Sequence, residues 1–306
     1  MEQPSSTITL FDTLVLSGGG VKGIGQLGVL HYYYEKNLLD LSSIKEFAGT
    51  SVGSVICLLL ICGYTPMEIF QRIYTIDSFF KAGGVHNIWD LFKNFGLMSI
   101  EPFIESVRTM VLEKLGKNPT LSELKRDTGK TLIVSAVNIS KMCLEYFSPE
   151  TKPHLTALDA VKISCNLPLV FQRIRYNGDY YVDGGMADNF PIASIDPDGK
   201  NILGIVVTGK DNAGGDDFVN YLFRLMVFPI NIMTQLRSKG AGPNVKLIEV
   251  SFDDLPILEL AVESKRKMEI FMKGYKEARK EEGKQLINVE GWSWDEGPEL
   301  VEWGWT

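Results

Sequence analysis

The stretch KEFAGTSVGSVICLLL, residues 45–60, constrains this chain more than any other part of it. A short apolar run ending at Phe47-Ala48 leads into Gly49-Thr50-Ser51-Val52-Gly53, and a strongly apolar helical stretch, Val52–Gly63, follows. A serine in a G-x-S-x-G turn between a strand and a helix is the context of a nucleophile elbow. Such a turn lifts the hydroxyl clear of the sheet. The flanking glycines let neighbouring backbone pass where a Cβ would collide. The helix start behind Ser51 favours negative charge developing there. The plainer reading is a Gly/Ser-rich turn in which Ser51 caps the helix.

A second glycine cluster lies upstream, in LVLSGGGVKGIGQLGVL. Gly18, Gly20 and Gly23 match G-x-G-x-x-G after the β run Thr13–Leu16 and before a helix over Gly23–Lys36. That placement fits a dinucleotide loop. It fits equally any loop that aims backbone N–H groups at an anion, or a plain tight turn. Lys22 sits inside it, able to neutralise an anion or to point to solvent.

The pattern around these loops alternates short apolar runs with helix-length segments. Strand-like runs are Thr131–Asn138, Cys143–Phe147, Tyr180–Val182, Ile202–Val207 and Val245–Val250. Helix-like segments are Ile69–Phe80, Glu101–Leu115, Ala157–Cys165 and a terminal one. In the last, Met268, Phe271, Tyr275 and Ala278 recur on one face. Near-continuous apolar strands separated by helices predict an α/β fold with a mostly parallel sheet covered on both faces. The 306 residues, 45% hydrophobic and 23% charged, suit one domain with a sizeable core and exclude wholesale disorder. No repeat or low-complexity linker divides the chain.

The net charge of −7 removes the basic footprint of a nucleic-acid binder and argues against bulk attraction to an anionic membrane. Cys57, Cys62, Cys143 and Cys165 form no CxxC pair and no metal-ligand spacing. They read as buried thiols in a reducing, cytoplasmic compartment, with no metal site. The first residues lack a basic n-region, so no signal peptide is expected. No apolar run reaches the ~18–20 residues that span a bilayer. The stretch from Phe218 through Tyr221, Leu222, Leu225, Met226, Phe228 and Ile230 to Met233, interrupted by Pro229, reads as core first and as a lid or membrane-facing patch second. The Trp292, Trp294, Trp303 and Trp305 tail reads as folded onto its own domain, and the mixed charges of 263–284 as a solvated helix face.

A serine nucleophile needs a positioned base. The three histidines are His31, His86 and His154, and none stands in a strand-end glycine context. Asp183 does. It closes the run DYYVD and precedes Gly184-Gly185, which opens space beside its carboxylate. A simple Asp-Gly turn is the ordinary alternative.

GGGVKG, GTSVG and DGG in this order resemble the patatin-like phospholipase family, as does ISCNLPLVFQRIRYNGDYYVDGGMADNFPI. The resemblance covers residues 11–195 and is looser beyond about residue 200. It implies a three-layer α/β/α sandwich with a mostly parallel central sheet. It also implies an acyl hydrolase of phospholipase A type that works by a Ser-Asp dyad without histidine, metal or organic cofactor. Carried onto this sequence, Ser51 is the nucleophile in the elbow of Gly49, Thr50, Val52 and Gly53. Asp183, followed by Gly184 and Gly185, is the base, although many relatives have alanine where Gly185 stands. The loop Gly18, Gly19, Gly20, Val21, Lys22 and Gly23 is the oxyanion hole, chiefly through N–H groups around Gly19 and Gly20. The implied partner is a lipid at a membrane or micelle surface, met by peripheral contact. Residues 11–200 would form the catalytic domain and 201–306 its continuation. The competing readings are a Ser-His-Asp esterase using His154, a nucleotide-binding module on the glycine loop, and a lipid-binding protein without turnover.

Overall fold

The computed structural model describes residues 11–75, 93, 95–209, 218–253, 255 and 262–290, without the side chains of 218–220 and 284–290. His86 and the Trp-rich tail lie outside these residues.

Ten strands are present among the described residues: β1 Thr13–Leu16, β2 Glu46–Gly49, β3 Gly96–Met98, β4 Thr131–Asn138, β5 Cys143–Phe147, β6 Leu169–Phe171, β7 Ile174–Tyr176, β8 Asp179–Asp183, β9 Ile202–Thr208 and β10 Val245–Ser251. The helices are α1 Gly23–Glu35, α2 Val52–Ile61, α3 Pro66–Thr75, α4 Glu101–Leu115, α5 Leu121–Thr128, α6 Ala157–Ser164, α7 Phe218–Lys239 and α8 Ser264–Glu290. The main sheet runs β10-β9-β1-β2-β4-β8-β7, with β5 on β4. Its β10-to-β4 portion is parallel, and β5, β8 and β7 enter antiparallel. The mixed α/β fold with a mostly parallel central sheet therefore stands as expected. Both β9 and β10 belong to this sheet, so the chain beyond residue 200 extends it.

The two faces of the sheet are covered differently. Leu14, Leu16, Phe47, Leu132 and Val134 point into a large core shared with α1 to α8, α7 contributing Phe223. Val15, Ala48, Ile133, Ile202 and Val206 pack against Phe190, Ile192 and Ile195, from a short 3-10 turn and its flanks. Buried apolar area of this kind is the main favourable term in folding.

Three details differ from the sequence pattern. The helical face of α8 is Ile270, Phe271, Gly274 and Ala278, while Met268 is exposed. Its role is to sit backbone against backbone on α1: a Cβ on Gly28 would stand 2.0 Å from the Phe271 oxygen, and one on Gly274 would stand 1.9 Å from the Gly25 oxygen. Periodicity counts apolar side chains and misses a contact made by their absence. Next, α7 continues through Pro229, which occupies an exposed position where its missing N–H and ring meet solvent. Tyr221, Leu225, Phe228 and Met233, assigned first to the core, are exposed, whereas Phe223, Val227 and Ile230 are buried. Finally, Cys143 is exposed on β5, and the other three cysteines are buried thiols.

Strand register brings two distant residues level. Gly49 ends β2 opposite Val134 of β4, so Ser51 stands two residues further, at the height of Ala136. On the other side of β4, antiparallel β8 ends with Asp183 opposite Ala136. Had β8 run parallel, Asp183 would have left the sheet in the other direction relative to its neighbours.

The α1–α8 contact makes a clear stability test. Gly28→Leu is expected to push the two helices apart and lower stability by roughly 1–3 kcal/mol or more, as overpacking does. Gly283 on α8 has nothing within 4 Å of a new Cβ, and Gly283→Ala is expected to raise stability by about 0.5–1 kcal/mol. Denaturant melts of the two variants measure both.

Candidate active site

The elbow is built from close backbone contacts. A Cβ on Gly49 would lie 2.5 Å from the Ser54 nitrogen, and one on Gly53 would lie 2.5 Å from the Ser17 oxygen. Only glycine lets the start of α2 cross the ends of β1 and β2 this tightly. Ser51 takes the strain. Its φ of 53° and ψ of −129° are costly for a side-chain-bearing residue, on the order of 1–3 kcal/mol. Its N–H donates to Ser164 Oγ at 2.8 Å, and its carbonyl accepts from Ser54 Oγ at 2.6 Å. Thr50 is buried, with Oγ1 2.6 Å from Ser135 Oγ and 2.9 Å from the Asp188 carbonyl oxygen. Ser51 makes no side-chain cap bond to its helix, so its hydroxyl is not spent on α2.

Asp183 is buried at the end of β8. It accepts a hydrogen bond from the Gly185 N–H at 2.7 Å and shares its pocket with the Ser51 side chain. Burial pushes its carboxyl up to about 6, against the nearby Ser51 hydroxyl and the Gly185 N–H, which pull the other way. A carboxylate poised near neutrality is a better proton acceptor than an exposed one. Gly184 is required by space, since a Cβ there would stand 2.1 Å from Ser135 Oγ. The Asp183 N–H donates to the Asn166 carbonyl at 2.9 Å, fixing the strand end.

The glycine loop passes directly beside Ser51. A Cβ on Gly18 would meet Ser51 Cβ at 3.2 Å and Asn189 Oδ1 at 2.4 Å. Gly20 has φ 55°, which glycine adopts without strain. Within the loop the N–H groups divide. That of Gly18 donates to the Asn189 carbonyl, that of Lys22 to Gly19, and that of Gly23 to Gly20 and Val21. Those of Gly19, Gly20 and Val21 meet no acceptor among the described residues. Lys22 is buried, and its ammonium lies beside Gly209. The six-residue loop thus narrows to three available donors.

Gly18, Gly19, Gly20, Lys22, Ser51, Asp183 and Gly185 line one pocket, ≈ 730 Å³ with its solvent-open mouth. Of the elbow, Thr50, Val52, Gly49 and Gly53 support it from behind. Val52 packs under Gly23, and the apolar residues Val55 to Leu60 are buried in the core. The described histidines are elsewhere. His31 lies on α1 near Phe271 and Glu35, where burial lowers its pKa, and His154 is exposed beyond Pro153.

Several pocket residues carried no pattern in the sequence. Cys165 caps α6 and lines the pocket beside Ser51, and burial together with the nearby Asp183 charge pushes its thiol well up. Leu167, Phe171 and Val207 add apolar wall, and Val227 and Ile230 reach in from α7. Asp188 and Asn189 join that helix to the site. Asn189 Nδ2 donates to Thr234 Oγ1 at 3.2 Å, and buried Asp188 faces Arg237 at 3.7 Å and accepts from Tyr146. The only available signal was a charged residue and an amide between two apolar segments, just before Pro191.

No three or more His, Cys, Asp or Glu side chains gather as a metal site among the described residues. The sequence model of the patatin-like phospholipases matches residues 14–196. A probable lipid hydrolase of Invertebrate iridescent virus 6 is 38% identical over 185 residues, 60% of this chain and 62% of its own. A lysophospholipase of Candida glabrata is 27% identical over 198 residues, 64% of this chain and 10% of its own length. The chain therefore spans less than two thirds of either relative. Among solved structures, VipD from Legionella pneumophila superposes with a TM-score of 0.58 at 17% identity, covering 90% of this chain and 67% of that one, a likeness of fold. With the family model matched over more than half the sequence and the expected sheet in place, the chain belongs to the patatin-like phospholipase family.

Proposed function

We propose that this protein is a lipid acyl hydrolase of the phospholipase A type, with Ser51 as nucleophile and Asp183 as its base. The observation that carries this reading is that the buried Asp183 carboxyl and a strained, uncapped serine line the same largely apolar pocket. In the first half-reaction Asp183 takes the Ser51 proton as Oγ attacks the ester carbonyl. The oxyanion that forms is met by the N–H groups of Gly19 and Gly20, with the buried Lys22 nearby. Each such donor is typically worth ~2.7–4 kcal/mol in the transition state. Asp183 returns its proton to the departing alcohol, leaving an acyl-enzyme. Water, deprotonated by Asp183, then releases the fatty acid and restores Ser51. No step needs a group from outside the chain other than ester and water.

The apolar wall of Leu167, Phe171, Val207, Val227 and Ile230 suits an acyl chain. A lipid aggregate is then the physical form of the substrate, met from one side by a protein without a bilayer-crossing helix among its described residues. Buried free thiols fit a reducing, cytoplasmic setting with peripheral lipid contact. Residues 11–200 act as the catalytic part, and 201–306 continue the same domain through β9 and β10.

Ser51→Ala and Asp183→Asn are each expected to lower fatty-acid release at least about 10³-fold while the circular dichroism spectrum stays native. Retained turnover in either variant rejects the dyad. His154→Ala is expected to match the parent within about twofold, where a histidine base would demand a loss of about 10⁴-fold.

The raised pKa sets two pH dependences of opposite sense. Activity needs the carboxylate, so kcat/KM is expected to rise as pH increases through about 6. Stability moves the other way. The unfolded chain releases this proton near 3.8 and the folded one near 6, so the folded state is relatively favoured below 3.8 and loses that advantage as pH rises through 6. Asp183→Asn is free of this cost. It is expected to be more stable than the parent by up to about 3 kcal/mol at pH 8, with the difference vanishing towards pH 4. Denaturant midpoints at the two pH values check the sign.

A further inference from the structure

Helix α7 presents two unlike faces. Phe223, Val227, Ile230 and Thr234 are buried, and Val227 and Ile230, with Asn231 beside them, line the Ser51 pocket. On the opposite side Tyr221, Leu225, Phe228, Ile232 and Leu236 are 58%, 54%, 68%, 42% and 59% exposed. Their spacings of four, three, four and four keep them on one line along the helix. At 1.5 Å per residue the line is about 22 Å long. Soluble surfaces scatter single apolar side chains but seldom align five large ones, and such an alignment marks an interaction site.

Charge separates one occupant from another. The chain carries −7 in total, yet residues 218–239 contain Arg224, Arg237 and Lys239 and no Asp or Glu. Arg237 is turned inward to Asp188; Arg224 lies on an exposed position beside the apolar line, and Lys239 on an exposed position at its C-terminal end. An apolar stripe edged with cations is the composition of a helix that lies in a lipid–water interface. In a two-fold contact between copies this face would meet itself, cation against cation, with no Asp or Glu of residues 218–239 to answer them.

We propose that the exposed face of α7 docks onto an anionic lipid surface and that the same helix delivers the acyl chain to Ser51. This rests on the hydrolase reading and adds where and how the lipid is met. Continuity carries it. The wall that touches the substrate and the stripe that touches the aggregate are opposite sides of one helix, so a lipid leaving the interface passes Val227 and Ile230 without crossing open water. Asn189 and Asp188 hold α7 to the segment that follows Asp183, which keeps the docked face in register with the dyad.

The test separates docking from chemistry. Binding is measured by flotation with vesicles of phosphatidylcholine, and of phosphatidylcholine mixed with phosphatidylglycerol, using full-length Ser51→Ala protein. The pair Leu225→Glu, Phe228→Glu is expected to lower binding at least about tenfold. Lys239→Glu is expected to weaken only the binding to phosphatidylglycerol-containing vesicles. With Ser51 restored, the Leu225→Glu, Phe228→Glu protein is expected to lose vesicle phospholipid hydrolysis in the same proportion while hydrolysing a soluble short-chain ester at the parental rate. Unchanged vesicle binding in that variant overturns the proposal. So does a parallel loss on the soluble ester, which would make the stripe part of the pocket. A parent that is dimeric by light scattering and becomes monomeric in the variant, with vesicle binding unaltered, assigns the face to a second copy instead. Failure of the hydrolase reading looks different: stripe-dependent vesicle binding with no fatty acid released from vesicle or ester.

Discussion

The approach of backbone to backbone at the ends of β1 and β2 underlies everything else in this fold. Gly53 lets the first turn of α2 ride over Leu16 and Ser17, Gly49 lets the same turn fold back on β2, and Gly18 brings the glycine loop against Ser51. None of these contacts tolerates a Cβ. Together they force Ser51 into a conformation that an L-residue resists, and the core under α2 holds it there. The Val55 to Leu60 run is buried almost completely, which supplies the burial that offsets a strained residue.

The carboxylate opposite Ser51 embodies a second conflict. Burial raises the cost of its charge, and the Gly185 N–H and the nearby Ser51 hydroxyl reduce that cost without removing it. A fully solvated aspartate would be more comfortable and a poorer base. A fully neutralised one would be inert. Active sites commonly carry such destabilised groups, and the stability they forgo is recovered elsewhere in the core. Here one such recovery is the glycine-mediated seam between α1 and α8, far from the chemistry. The site is likewise reinforced from behind by Thr50, Ser135 and the Asp188 carbonyl, which tie the elbow to the segment after Asp183.

Helix α7 shows how a single element serves two environments. Its buried side closes the pocket and is pinned through Thr234 and Arg237. Its outer side is as apolar as its inner side, which is why hydrophobicity summed along the sequence points to the core. Phase, and not content, distinguishes the two faces, and Pro229 masks the phase by suggesting a break. The proline falls on the outward side, where its missing hydrogen bond is repaired by solvent, so the helix survives it.

The sequence by itself determined the elements whose cause is local. The β-branched run Thr131–Asn138, the apolar helix behind Ser51 and the turn glycines each follow from adjacent residues. The strand-to-turn settings of Ser51 and Asp183 are local as well, whereas their pairing as a proposed dyad rests on the family resemblance. Tertiary structure decided what depends on register and on distant neighbours. The antiparallel sense of β8 set Asp183 level with Ser51, packing left Gly19, Gly20 and Val21 as the available N–H donors, and burial raised the pKa of Asp183. It also recruited Cys165, Asn189 and α7 into the pocket, which no local pattern assigns to it. Local pattern encodes conformation, but proximity between residues a hundred or more positions apart exists only once the sheet has formed.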